Sequence, residues 1–122
     1  MTEIDQALLG FFSGFDLPVY REDDVPSYVK APYITVSVSQ PTWDASAPIY
    51  AHVWYRSASY ATIDAKVDQI AEAIGHAGVS IPTATGCVWL YRANPFAQHR
   101  PMAGDPALQC VYLNMTIQAI TQ

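Results

Sequence analysis

Apolar residues repeat along this chain at two spacings, and those spacings mark out its elements. From residue 2 to 13, Ile4, Ala7, Leu8 and Phe12 recur every three or four positions, and Phe15 continues the same face. That period predicts an amphipathic helix. Thr2 is placed to cap it, with Asp5 three residues on, and Gly14 to stop it. A second helical stripe, Tyr60, Ile63, Val67, Ile70, Ala71 and Ile74, runs through "SASYATIDAKVDQIAEAIGHAG". Ser57 or Ser59 can cap that helix, and Gly75 and Gly78 end it. His76 follows its last turn, where the helix dipole favours a proton.

Four other stretches read as strands: "YITVSVSQ", "IYAHVWYR", "CVWLYR" and "LQCVYLNMTIQAI". In these, apolar residues face one side and polar or aromatic residues the other, the period-two signature of a half-buried strand. Val19 and Tyr20 suggest a short edge strand in a segment broken by Pro18, Pro26 and Pro32. "PTWDASAP" and "VSIPTATG" read as connections. The order helix, strand, strand, helix, strand, strand predicts an α+β fold. Its expected form is an antiparallel sheet of about four main strands, paired as hairpins, with two amphipathic helices packed on one face. At 122 residues, one domain spanning 1-122 is the natural expectation.

The alternation also predicts what the uncovered face of the sheet carries. Tyr33, Thr35, Ser37, Tyr50, His52, Trp54, Arg56, Trp89, Tyr91, Tyr112, Asn114 and Thr116 fall on that side. Tyr, Trp and Arg are the residues in which protein interfaces are enriched, and Lys, Glu and Asp are depleted there. The bland reading is a half-exposed face whose aromatics shield the ladder. One bulge would invert part of this assignment.

Composition sharpens the picture. The chain is 51% hydrophobic but 14% charged, against about 25% charged in a typical domain. So few charges leave aromatic and neutral groups outside, which favours self-association. The net charge is −5, with six Lys and Arg in all. No basic cluster is present to displace counterions from a nucleic acid. "ALLGFF" is too short and lacks the basic flank of a secretory signal, and no run reaches membrane-spanning length. Cys87 and Cys110 read as thiols, with a bridge open only if their strands are neighbours.

No catalytic constellation stands out. Ser57 and Ser59 are explained by capping, and no nucleophile elbow is present. His99 and Asp105 could form a base and its orienter, or two solvated loop residues. His52, His76 and His99 lack metal-ligand spacing, no glycine-rich loop follows a strand, and Glu22, Asp23 and Asp24 read as a solvated turn. No enzyme activity, cofactor or metal is therefore expected. "YRANPFAQHRPMAGDP", residues 91 to 106, reads as a long loop stiffened by three prolines. Phe96, His99, Arg100 and Met102 make it a semi-rigid contact arm. The candidate protein-interface set is Tyr50, His52, Trp54, Arg56, Trp89, Tyr91, Phe96, His99, Arg100, Met102 and Tyr112.

The first helix, then "LPVY…DDVPSYVKAPYITVSV", then a strand running into "WYRSASYATIDAKVDQIAEAIG", resembles the tail terminator (tail completion, tail-to-head joining) proteins of long-tailed bacteriophages. The resemblance covers residues 4 to 75; the last third matches in its strand-loop-strand layout. It implies an α+β virion protein forming a hexameric ring at the head-proximal end of the tail tube, assembled in the host cytoplasm. Its implied partners are copies of itself, the tube protein and the neck or head-completion protein. DNA would pass through the channel without specific binding, and no membrane is involved. Loops "REDDVPSYVKAP" and "SQPTWDASAP" would reach tube or neck. Other neck and minor tail proteins share this level of likeness. The alternatives from other classes are a small soluble ligand-binding or regulatory module using the aromatic face, and a hydrolase using His99 and Asp105.

Overall fold

The computed structural model describes residues 3–37, 45–102 and 104–121. Helix α1 (Glu3–Phe12) leads through a 3-10 turn (Ser13–Phe15) to β1 (Val19–Arg21), β2 (Tyr33–Ser37) and β3 (Ser46–Arg56). Helix α2 (Ala61–Ile74) follows, then β4 (Val79–Pro82), β5 (Gly86–Pro101) and β6 (Leu108–Thr121). The strands form a six-stranded sheet in the order β1-β2-β3-β6-β5-β4. β1 runs parallel to β2, and every other neighbouring pair is antiparallel.

This corrects the expected α+β fold with a four-stranded antiparallel sheet and two helices packed on one face. The molecule is mostly β, its sheet has six strands and is mixed, and its two helices are short. The extra strands lie at the edges. β1 joins through Ile34 N–H to Pro18 O at 2.8 Å and Glu22 N–H to Val36 O at 2.9 Å. β4 comes from the "VSIP" expected to be a connection; Val79 and Ile81 pack on the core, and Pro82 is tolerated because β4 is an edge. The expected loop at 93–105 is also corrected. β5 continues through Pro101, and the turn back to β6 begins only at Met102.

Local chemistry sets the helix ends. α1 does not stop at Gly14; the 3-10 turn carries the chain to Asp16, which takes the left-handed conformation at φ 62°. Lys66 Nζ donates to the Phe15 carbonyl at 2.7 Å, tying α2 to this turn. Ser59 Oγ accepts from Ala61 N–H at 3.2 Å at the start of α2. Gly75, at φ 76°, closes α2 with its N–H on Ala71 O. Thr2 lies outside the described residues, as do residues 38–44 of the second strand's end and the following loop.

Leu8 and Phe12 of α1 and Ile63, Ile70 and Ile74 of α2 join Ile34, Val36, Ile49, Val53, Leu113 and Ile117 in one buried cluster. Gln109 is buried, and its Nε2 donates to Ser57 O and Ser59 O, both at 3.0 Å. It pins the segment entering α2 against β6. Among the described residues, no helix is long and apolar enough to cross a membrane.

Candidate functional site

Strand register decides which side chains share a face. β3 lies between β2 and β6, with Tyr33 opposite Trp54, Thr35 opposite His52 and Ser37 opposite Tyr50. On its other side, Tyr50 faces Asn114, His52 faces Tyr112 and Trp54 faces Cys110. The intervening Ile49, Ala51, Val53, Val111 and Leu113 are fully or almost fully buried. Tyr50, His52, Trp54, Arg56 and Tyr112 therefore occupy the face opposite the main core.

The aromatic groups on this face touch in series. Tyr20 meets Tyr33 edge-on with centroids 6.1 Å apart, and Tyr33 stacks on Trp54 at 6.0 Å. His52 meets the Tyr112 ring edge-on at 3.9 Å, and the Arg100 guanidinium lies 4.2 Å over that same ring. Trp54 Nε1 donates to Thr35 Oγ1 at 3.1 Å. Further along the sheet, Trp89 and Tyr91 are 5.1 Å apart, and Trp89 Nε1 donates to Ala77 O at 3.0 Å. Tyr50 and Trp89 stay exposed, at 43% and 38%.

A register shift between Arg92 and Ala97 redirects the rest of the expected contact arm. Before it, Trp89 faces Gln118 and Tyr91 faces Thr116; after it, Ala97 faces Leu113 and His99 faces Val111. Odd-numbered residues of β5 thus cross from the aromatic side to the helix side. His99 lands beside α2, with Nε2 3.1 Å from Asp64 Oδ1 and its ring 5.0 Å from Tyr60. Phe96 turns to pack on the core. Asn114 bridges the irregularity, donating to Pro95 O at 3.1 Å and Gln98 Oε1 at 3.0 Å. Arg100 stays on the aromatic side, and Met102 sits half-buried at the turn.

The expected base and orienter have separate partners. Asp105 is held by Arg56 through two contacts of 3.1 and 2.9 Å. The hydrogen bond from Arg56 holds the Asp105 carboxyl below its ordinary value. At His76, the Arg92 guanidinium lies 3.1 Å from Nδ1. Cys110 faces Trp54 and Arg100, whereas Cys87 faces Ile120, ten residues along β6. At about 3.4 Å per residue the two thiols are far beyond bridging distance. Both are free, and burial pushes Cys110 up to about 12.

His52, opposite the buried Thr35, is a buried titratable group of this face, at 5% exposed. Its Nδ1 makes no hydrogen bond and lies 3.4 Å from Glu22 Oε1. Burial lowers the His52 pKa, Glu22 opposes that, and Arg100 adds to it. Burial wins because Glu22 is half in water, where its charge is screened. The folded state therefore prefers neutral His52, while the unfolded chain takes up a proton near the ordinary value of 6.5. Stability from this group is complete above 6.5 and declines as pH falls toward the lower folded value. Urea midpoints between about pH 5 and 8 should show that loss, and a His52→Gln variant should lack this part of it.

Glu22, Asp64 and Gln109 were not distinguishable as site or anchoring residues from local pattern, since each acts on a partner distant in the chain. Two open depressions flank the face. One of about 260 Å³ is lined by Glu22, Tyr50, His52 and Tyr112. The other, of about 570 Å³, is lined by Val29, Lys30, Ala31, Tyr33, Arg56 and Leu108.

No family model matches the chain, and no curated protein sequence matches it. Among solved structures, a chain of the virion of a native gene transfer agent particle superposes with a TM-score of 0.63. The match covers 94% of this chain and 90% of that one at 16% sequence identity. Across nearly its whole length, this chain shares the fold of a component of a gene transfer agent virion.

Proposed function

We propose that this protein is a structural component of a phage-type virion. In this reading it forms a ring of six subunits at the head-proximal end of the tail tube, ends tube polymerisation and joins tail to head or neck. The observation that carries the reading is the near full-length fold agreement with a chain of a gene transfer agent virion. The tail-terminator resemblance of residues 4 to 75 supports the position within the particle. The aromatic face, with Tyr50 and Trp89 open to solvent, supports a contact role. A ring needs two different surfaces per subunit that close by rotation. The net charge of −5 would limit adhesion of DNA passing through the ring.

Particles assembled without this chain test the position. The expected result is tubes that grow past their normal length, with heads left unjoined, and restoration of both when the chain is supplied. Normal-length tails joined to heads in its absence would overturn the terminator role.

A further inference from the structure

The depression of about 260 Å³ beside His52 combines aromatic walls with a carboxylate. Tyr50 and Tyr112 contribute rings whose faces are negative. Glu22 contributes a half-exposed carboxylate, fixed at its backbone by the N–H bond to Val36 O. The ion-pair contact of that carboxylate is His52 Nδ1, an imidazole that burial holds toward its neutral form. His52 is 5% exposed, lines the depression, and makes no hydrogen bond through Nδ1. Aromatic walls and a carboxylate form a site that can take a positive charge; the chain's own Arg100, over the Tyr112 ring, is not among the residues that line the depression.

We propose that this depression receives an arginine side chain presented by a different protein. The Tyr112 ring already carries one guanidinium, that of Arg100, at 4.2 Å, so the surface accepts this geometry. A planar guanidinium can lie on Tyr50 while its N–H groups reach Glu22; an ammonium offers no plane and sheds its water less readily. The volume suits one side-chain head and is small for a ligand of drug size.

The chain's own cations argue against a second copy as donor. Of its six basic residues, Arg21 is on Asp23, Arg56 on Asp105, Lys66 on Phe15 O, Arg92 on His76 and Arg100 on Tyr112. Among the described residues, Lys30 is the one basic side chain without such a contact, and it is not an arginine. The inference concerns a pocket in the single chain and holds whether or not the subunit forms a ring.

The test is a titration of the full chain with the capped tripeptide Gly-Arg-Gly, followed by NMR of the side-chain rings. Matched peptides carrying lysine or citrulline, and the tetramethylammonium ion, are the comparisons. The arginine peptide should shift Tyr50, His52 and Tyr112 saturably, and the neutral citrulline peptide should not. Glu22→Gln and Tyr50→Leu should each weaken the arginine peptide by about fivefold or more, with the remaining spectrum unchanged. Acidification should weaken it too, because protonated His52 would supply Glu22 with a cation; Arg100, Tyr50, Tyr112, Trp54 and Cys110 are the other groups around that ring. Absence of saturable shifts, or equal binding of the citrulline peptide, would overturn the proposal. Lysine peptide or tetramethylammonium binding as tightly as arginine would overturn the arginine assignment. Concentration-dependent shifts of these rings in the protein alone would assign the pocket to a second copy instead.

Discussion

Gly78→Ala is expected to destabilise the protein by about 3 kcal/mol or more. Two effects add at this position. The backbone has φ 90°, which an L side chain rarely adopts. A Cβ there would also meet Trp89 Nε1, and would lie 2.8 Å from Leu90 O and 2.9 Å from Tyr91 Cβ. Two of those neighbours belong to the fixed framework of β5, so the strain cannot be relieved by swinging one side chain. Trp89 itself is anchored by its bond to Ala77 O, so the variant should also change indole fluorescence. Gly104→Ala supplies the comparison: its φ is 81°, but the added Cβ meets open space. Only backbone strain remains there, about 1–2 kcal/mol. Denaturant midpoints of the two variants should differ accordingly; equal midpoints would remove the packing part of the argument.

Phe12→Ala is expected to cost about 3–5 kcal/mol. Phe12 is the largest of the fully buried side chains among the described residues, at 0% exposed. It closes α1 onto the core, and Phe11 meets it edge-on with centroids 5.2 Å apart. Leu8, Ile34 and Ile70 of the same cluster are themselves fully buried. Against a total stability of about 5–15 kcal/mol for a domain, this loss is large enough to populate the unfolded chain in mild denaturant. The urea midpoint should fall with an unchanged slope. A loss below about 1 kcal/mol would mean that α1 is not cemented to the sheet as described.

The legible parts of the fold were those with a long, unbroken period. β3 and β6 alternate over many residues, so Tyr50, His52, Trp54 and Tyr112 could be placed on one face and Ile49, Val53 and Leu113 on the other. Both helices were visible in their stripes. One edge was visible, since Val19 and Tyr20 suggested the short strand that β1 is. The other was not: β4 has four residues and ends in a proline, so it carries too little period to register. β5 was cut short at Arg92 because Asn94, Pro95 and Pro101 read as loop residues. The pairing of its second half with β6 overrides that local preference, which no local pattern contains.

The register shift had the largest consequence for the site. It moved His99 to Asp64 and Phe96 to the core, while Arg100 remained over Tyr112. The contact arm expected from residues 93–105 is thus the far half of a long hairpin whose two sides look in different directions. Its aromatic side adjoins Tyr112 and is continuous with the β3 face. Its helix side presents His99, Asp64 and Tyr60. The chain thus presents two distinct surfaces, as the proposed ring with head-to-tail contacts would require.

Electron cryomicroscopy of the assembled particle, with this chain identified by its density, tests the central claim most directly. The expected density is a ring of copies at the head-proximal end of the tail tube, each showing the six-stranded sheet and the long β5–β6 hairpin. Particles complete in head and tail whose density contains no copy of this fold would contradict it.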